Sequence, residues 1–423
     1  MNSSKRIFAI VDCNSFYVSC ERAFNPSIAK KPVVVLSNND GCVISRSSEA
    51  KKLGIKMGEP FFKVQHLIKK HGVCVYSSNY ALYGDMSCRV MSVLSDFTPD
   101  IEIYSIDEAF LDISGVSNNY EMYATKIKKR IFKWTGIPVS IGISETKTLA
   151  KIANHIAKGS SHGVVSFYKS DRSIDNALES VDVSNVWGIG RQFSKFLKSH
   201  GIRNALELKQ ANIQWIKKNM SIVGLKTVLE LQNISCIDLE NSNSSRKSCC
   251  SSRSFGKPTS KLQDLIEAMA AYTRIASAKI RDEGLVANCL TIFITTNRYV
   301  SSENKYSKSL TISLGIPSNN LIVLTKLAIQ GLQKIFKKNV LYQKAAVVLS
   351  GLEKQGEVVD LFQGHEKENK NLMSAVDKIN IKYGRDMVNL SIDSKRRVWQ
   401  SKKKYHSPRY TTCLEEIPTI RLT

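Results

Sequence analysis

The chain is 423 residues long, 43% of them hydrophobic, and carries a formal net charge of +24. That length allows three or four compact units, and the lack of a long polar low-complexity block argues against a largely disordered chain. No stretch approaches transmembrane length, and the apolar run before Asp12 (IFAIV) is too short for a signal peptide, so a cytoplasmic protein with no membrane association is expected.

Residues 7–11, IFAIV, predict a buried strand that ends at Asp12. The following NSFYVSCERAF spaces Phe16, Cys20 and Phe24 four apart, as on one helix face. KKPVVVLSNND (30–40) reads as a strand leading into a turn, and SSEAKKLGIKMG as a short helix closed by Gly54. IEIYSIDEAFLDI reads as a second partly buried strand, with Asp107 and Glu108 inside it. PVSIGISETKTLAKIANHIAKG (138–159) predicts a strand and then a helix with Leu149, Ile152, Ala153 and Ile156 on one face. This irregular alternation favours an α+β sheet domain over a doubly wound one.

Past residue 170 the pattern changes to short helices, including VWGIGRQFSKFLKSHGI at 186–202. The Ser-rich NSNSSRKSCCSS (241–252) is the linker candidate. Beyond it, a helix over 261–283, strands LTIFITT and KSLTISL, a helix over 318–338 and strand KAAVVLS predict a separate small domain. The remaining tail is charged and weakly patterned. The ten cysteines show no CxxC spacing, which points to free thiols in a reducing compartment and to no zinc site.

Charge is unevenly spread. Residues 1–110 net +2, residues 111–237 and 238–355 net +9 each, and the last 68 residues net +4. A nearly neutral chemical centre flanked by basic modules suits a polyanionic partner.

Two constellations stand out. If the strands carrying Asp12 and Asp107-Glu108 are neighbours, three carboxylates meet and repel, and two Mg²⁺ ions would relieve that repulsion. Adjacent strand residues point to opposite faces, so this requires a tight bend at Asp107-Glu108. The second is GIG at 188–190, where glycines let backbone N–H groups approach a phosphate at a helix N-terminus. Arg191, Lys195 and Lys198 follow it, which favours DNA over an ordinary helix-connecting turn.

In order along the chain, DCNSFYVSCE, SNNDGCVISRSSEAKKLGIKMG, SSNYALYGDMS, YSIDEAFLDISGV, GISETKTLAKIANHIAK and VWGIGR resemble the signatures of Y-family translesion DNA polymerases. The likeness runs nearly end to end, includes RSFG (253–256) and SPRYTT (407–412), and is greatest for the UmuC-type branch, the catalytic subunits of bacterial DNA polymerase V. It implies an α+β, multidomain right-hand polymerase: palm at 1–25 and 86–170, small fingers at 26–85, a helical thumb with helix–hairpin–helix at 171–240, a linker at 241–252, a little finger at 253–355 and a partner-binding tail at 356–423.

The same resemblance implies site roles. Asp12, Asp107 and Glu108 are the catalytic carboxylates that hold two Mg²⁺ ions, with Mn²⁺ a possible substitute and the Cys13 carbonyl an extra ligand. Tyr17 is the steric gate beneath the incoming sugar, and Lys158 contacts the triphosphate. Many relatives grip the phosphates with a Tyr and an Arg where this chain has Ser48 and Lys51; Lys keeps the charge without the bidentate fork, so Arg46 is expected to share the task. Gly188, Gly190, Arg191, Lys195 and Arg253 are candidate DNA contacts. Implied partners are primer-template DNA, dNTP, a UmuD′-type accessory dimer, a RecA-type filament and the sliding clamp. EVVDLF (357–362) resembles a clamp-docking peptide with Leu361 and Phe362 as anchors, although Val358 stands where a Gln is usual. Another two-metal palm enzyme (a nucleotide cyclase or nuclease) and a non-catalytic DNA-binding protein that kept the fold are the alternatives.

Overall fold

The computed structural model describes residues 6–168, 171–240, 246–297, 299, 305–356, 366–384, 387–392 and 402–417. It divides into two compact units: Met1–Ser37, Gly41–Asn243 and Lys404–Thr423 form the first, and Asn38–Asp40 and Ser244–Lys403 the second.

The first unit begins with strand β1 (Phe8–Cys13) and helix α1 (Phe16–Phe24). Next come β2 (Val33–Leu36), β3 (Val43–Arg46), α2 (Ser48–Lys52), α3 (Phe61–Lys70), β4 (Cys74–Ser77) and α4 (Tyr80–Ser95). After these lie β5 (Ile101–Ile103), β6 (Glu108–Asp112), α5 (Tyr120–Thr135), β7 (Val139–Ser144), α6 (Lys147–Ala157) and β8 (Val164–Ser166). The palm sheet has the order β5-β6-β1-β7-β8, with β1 antiparallel to both neighbours. β1 is buried along its whole length, which is why it reads as an unbroken apolar run rather than an alternation. A smaller sheet, β3-β2-β4, packs Val34, Leu36 and Val43 against Val64 and Ile68 of α3, within the stretch expected to be the fingers.

α6 lies across β7, and Gly142 makes the close approach possible. A Cβ there would sit 2.2 Å from both Ala150 O and Asn154 N. Thr146 caps the helix by accepting from Leu149 N, and its hydroxyl donates to Glu230 O at 2.9 Å. The far side of α6 gives Leu149, Ile152 and Ala153 to a second core, which is built with α7 (Asp171–Ser180), α8 (Arg191–Ser199), α9 (Ala205–Lys209) and α10 (Ile213–Leu231), the helices expected to form the thumb. α10 is longer than the short helices expected and breaks at Ser221, whose φ is +62°.

The second unit holds β9 (Ser248–Thr259), α11 (Leu262–Asp282), β10 (Leu285–Thr296), β11 (Ser307–Ser318), α12 (Leu321–Ile335) and β12 (Tyr342–Lys354). Its sheet runs β11-β10-β12-β9, with the two helices packed on the core that Leu290, Ile292, Val347 and Leu349 share.

Three expectations are refined. Residues 80–85, expected at the end of the fingers, belong to α4, which begins at Tyr80 and buries Leu82 and Tyr83 in the core shared with β1 and α1. The linker is shorter than 241–252: strand pairing with β12 already takes Ser248 to Ser252, and 241–245 lie outside the described residues. The tail is also more ordered than its charge suggested. It carries α13 (Glu366–Tyr383), and Arg281 of α11 clasps Asp377 with two hydrogen bonds, at 2.7 and 2.9 Å. Residues 404–417 then rejoin the first unit. Among the described residues no helix is long and apolar enough to cross a membrane, and all ten cysteines are free.

The returning segment closes over a buried acid. Glu21 of α1 is 1% exposed, and its Oε1 accepts from Tyr83 OH at 2.7 Å and Ser407 Oγ at 3.0 Å. Burial pushes this carboxyl up to about 7 from its ordinary 4.5, in spite of the two hydrogen bonds.

Two outcomes follow from this packing. Gly142→Ala should lower stability by about 2–3 kcal/mol, as the added carbon meets helix backbone that has nowhere to move. Gly190→Ala, in open space with φ −78°, should stay near the parent in the same thermal melt. Equal melting of the two variants would remove Gly142 as the point of closest helix–sheet approach. For Glu21, the folded chain binds the proton more tightly than the unfolded chain. Its contribution is therefore fully present below pH 4.5 and lost as pH rises through about 7. Glu21→Gln keeps an acceptor without the ionisation, so it should match the parent in acid and be more stable near pH 8, by on the order of 3 kcal/mol. Parallel stability–pH curves for parent and variant would contradict this.

Candidate active site

The antiparallel register of β1 and β6 sets Asp12 directly opposite Glu108. Asp107 precedes β6 in a turn that separates it from β5, so the stretch read as one strand is two strands joined by the required bend. Tyr104 N and Ser105 N both donate to Glu108 O, and Cys13 N donates to Asp107 O at 2.8 Å. The turn releases Asp107 and Glu108 from strict alternation. It also turns the Asp107 carboxylate onto Ser105, whose hydroxyl donates to it at 2.5 Å. The sequence-predicted triad is thus brought to one corner of the sheet, with Asp12 and Glu108 in carboxyl contact and Asp107 beside them on its own partner. Among the described residues, no three His, Cys, Asp or Glu side chains stand close enough to share one metal ion in this arrangement.

Electrostatics mark the corner as unusual. Asp12 is 5% exposed, and its carboxyl is pushed up to about 7 by burial first and by Glu108 next, against the pull of Lys158. Burial pushes Glu108 the same way, but its hydrogen bonds with the Asp12 carboxyl and with Lys151 outweigh it and hold Glu108 below its ordinary range. Burial raises the Cys13 thiol, and Asp12, Asp107 and Glu108 all add to that rise, so the three charges converge on this residue. Lys158 Nζ stands 2.6 Å from Asp12 Oδ2, and Lys151 Nζ stands 2.7 Å from Glu108 Oε2. Two ammonium groups therefore balance the carboxylates. The donors are hard oxygens, which suit Mg²⁺ or Mn²⁺, and Lys158 is 44% exposed at its side chain and free to move aside. In these respects the residues fit a divalent cation site.

Lys151 was not predicted. It sits two helical turns before Lys158, and that seven-residue spacing on one helix was the available signal. Its ammonium also lies 4.4 Å from the centre of the Tyr104 ring, which in turn takes a hydrogen bond from Trp187 Nε1 at 3.0 Å.

Tyr17, on the first turn of α1, stacks face to face on Tyr83, with centroids 4.5 Å apart and planes at 15°. Tyr80 meets it edge-on at 6.1 Å. Burial, then Tyr80 and Asp107, raise its phenol above the ordinary value, which puts the ring within the field of the carboxylate corner.

The fingers residues divide. Burial first, and then the charges of Arg46 and Lys158, lower the Lys51 ammonium, so these three cations share one region close to Asp12. Arg46 donates through Nη1 to Ile55 O, which ties down the guanidinium. Ser48 begins α2 and is exposed, and the capping is done by its neighbour Ser47.

The hairpin differs from expectation on its first arm, where a single 3₁₀ turn (Val183–Asn185) precedes the glycines. Gly188 has φ +87°, which explains the glycine, whereas Gly190 is the extended N-cap of α8 with open space around it. Arg191 and Lys195 are exposed one turn apart on α8. Lys198 is instead paired with Asp182 at 2.8 Å and contributes less free charge than its position suggested. Arg253 is exposed on β9, at the edge of the second unit's sheet. Leu361 and Phe362 lie outside the described residues.

Comparison with known proteins assigns the chain to a family. Residues 11–155 match the impB/mucB/samB family, 246–361 match that family's C-terminal domain, and 370–420 match a domain of unknown function. The chain is 38% identical to the protein UmuC of Salmonella typhimurium over 98% of this chain and 100% of that protein. It is 37% identical to Salmonella typhimurium ImpB over the same share of each chain. It is 28% identical to DNA polymerase IV of Clostridium kluyveri over 90% of this chain and 97% of the relative. A solved Y-family DNA polymerase chimera of Dbh and Dpo4 superposes with a TM-score of 0.67 at 24% identity, covering 82% of this chain and 100% of the chimera. By these full-length matches the chain belongs to the impB/mucB/samB family, which includes UmuC, and its fold is that of the solved Y-family DNA polymerase chimera.

Proposed function

We propose that Asp12, Asp107 and Glu108 are the carboxylates with which this translesion polymerase adds dNTPs to a primer 3′-hydroxyl on damaged template DNA. The observation that carries the reading is the pairing of buried Asp12 with half-buried Glu108 across β1 and β6, flanked by Lys151 and Lys158. Asp12, Asp107, Glu108 and the Cys13 carbonyl would hold two Mg²⁺ ions, or Mn²⁺ in their place. When bound, such ions activate the attacking hydroxyl and offset the charge of the leaving pyrophosphate.

The chain's own groups do the rest. Lys158, Lys51 and Arg46 offer positive charge to the triphosphate; without a planar fork, Lys51 acts as a point charge, so the grip is shared among them. Ser48 is exposed at the N-terminus of α2, where its hydroxyl is free to donate to a phosphate oxygen. Tyr17, held flat on Tyr83, lies beneath the incoming sugar and excludes a 2′-hydroxyl by contact. The fingers are small, which leaves the template base loosely enclosed and reduces discrimination by shape. Gly188, Gly190, Arg191 and Lys195 meet DNA phosphates at the hairpin, and Arg253 does so in the second unit. A UmuD′-type dimer and a RecA-type filament are the further partners, supported by the full-length likeness to UmuC. The sliding clamp would dock on Leu361 and Phe362.

Primer extension with Mg²⁺ and dNTPs tests the core of this reading. Asp12→Asn, Asp107→Asn and Glu108→Gln should each cut nucleotide addition by about a thousandfold or more while DNA binding persists. Robust extension by Asp107→Asn would refute its place among the metal-holding carboxylates. Tyr17→Ala should raise ribonucleotide use far more than it alters deoxyribonucleotide use. If the rNTP/dNTP ratio of kcat/KM stays at the parent value, Tyr17 is a packing residue only.

A further inference from the structure

Residues 404–417 fall in the stretch that matches a domain of unknown function, and they pack against α1, the end of β4 and the start of α4 in the first unit. Their attachment is specific. Ser77 N donates to Tyr405 O at 2.9 Å, and Tyr405 N donates back to Ser77 Oγ at 3.0 Å, so the segment docks beside the end of β4. Asn79 caps α4 with its side-chain oxygen. Its amide nitrogen donates to Ser407 O at 3.3 Å, Ser407 Oγ at 3.0 Å and Pro408 O at 3.1 Å. The Tyr410 ring stacks on Phe24 at the far end of α1, with centroids 4.8 Å apart and planes at 6°. Arg409 folds back on Glu416 and closes the segment on itself.

Ser407 is 4% exposed and gives its hydroxyl proton to Glu21 Oε1, across a sequence separation of 386 residues. The same oxygen takes the Tyr83 hydroxyl. Among the described residues the other carboxyl oxygen, Oε2, is buried with no partner, so Oε1 alone anchors this group. Tyr83 in turn is the platform on which the Tyr17 ring lies. Tyr17 and Glu21 are four residues apart on α1, one turn along the same face, so the contacts form a closed loop of ring, hydroxyl, carboxyl and helix. A phenol with its oxygen anchored and its ring stacked has little freedom to tilt. With the anchor loosened, the platform and the ring above it can slide.

We propose that residues 404–417 are a strap that fixes the Tyr17 ring through Ser407, Glu21 and Tyr83, so that sugar selection at the active site depends on the far C-terminal segment. The proposal rests on the reading of Tyr17 as the gate. Ser407 and Glu21 are positioning residues in it, and neither touches substrate.

The experiment measures kcat and KM for matched rNTP and dNTP with the full-length protein on primer-template DNA, alongside thermal melts. Ser407→Ala removes one hydroxyl from the anchor, and Tyr83→Phe keeps the stacked ring while removing its tether. Both should raise the rNTP/dNTP ratio of kcat/KM, by roughly three- to tenfold for the loss of one hydrogen bond to a carboxyl. Glu21→Gln, which keeps an acceptor, should hold the parent ratio, whereas Glu21→Leu should lose it. Ser407→Ala should add nothing in a Tyr17→Ala background, because the ring it positions is gone. If Tyr17→Ala raises the ratio while Ser407→Ala and Tyr83→Phe lower only the melting temperature, the gate stands and the strap proposal is overturned. If Tyr17→Ala itself leaves the ratio unchanged, the gate reading falls and takes the proposal with it.

Discussion

Two carboxyl groups in contact inside a β-sheet are the constraint on which the rest of this structure depends. Asp12 and Glu108 face each other across neighbouring strands, and burial makes it costly for both to be charged. The fold meets that cost with two lysines from a single helix, α6, one for each carboxylate. Placing them requires the helix to lie close to the sheet, which Gly142 permits by leaving no side chain between β7 and the backbone of Ala150 and Asn154. The carboxylates, the glycine and the lysines thus form one mechanical unit, though they are scattered from residue 12 to residue 158.

The same helix shows why positive charge in this chain has more than one use. Lys147 is 1% exposed, bonded to Glu102 and to Asp238 O, and so fixes the segment that follows α10 against the sheet. Glu230 complements it from α10, where its carboxylate accepts from the backbone of Thr148, Cys236 and Ile237. Lys198 and Lys209 pair with Asp182 and Asp175 on the thumb surface. A charge of +24 therefore overstates the charge free to meet a polyanion. Exposed Arg191, Lys195 and Arg253 are better candidates for that work than the net figure alone suggests.

Aromatic stacking carries the architecture around Tyr17. Tyr17, Tyr80 and Tyr83 form a compact group in which each ring meets the other two. Stacking favours defined ring offsets over free sliding, and the buried Glu21 adds direction through the Tyr83 hydroxyl. On the opposite flank, Trp187 packs against Tyr104 and Phe110 and links the hairpin of the thumb to the turn that carries Asp107. Rings thus brace the carboxylate corner from two sides.

The sequence by itself determined the local elements and the identity of the chemistry. IFAIV had to be a buried strand because an unbroken apolar run that length has no polar face to offer water. The spacing in TKTLAKIANHIAK had to be a helix, and the ordered motifs named the family before any contact was visible. The required bend before Glu108 also followed from the alternation of strand side chains. Only the tertiary structure decided which residues meet: the register that sets Asp12 against Glu108, the turn of Asp107 onto Ser105, the recruitment of Lys151, and the packing of Tyr83 from a helix that begins at Tyr80. It also decided that a charged tail with little pattern would return to bond Glu21. Periodicity reports which face of an element is apolar, over a few residues at a time. A hydrogen bond between Ser407 and Glu21 is made by chain segments 386 residues apart, and no local pattern records such a partner.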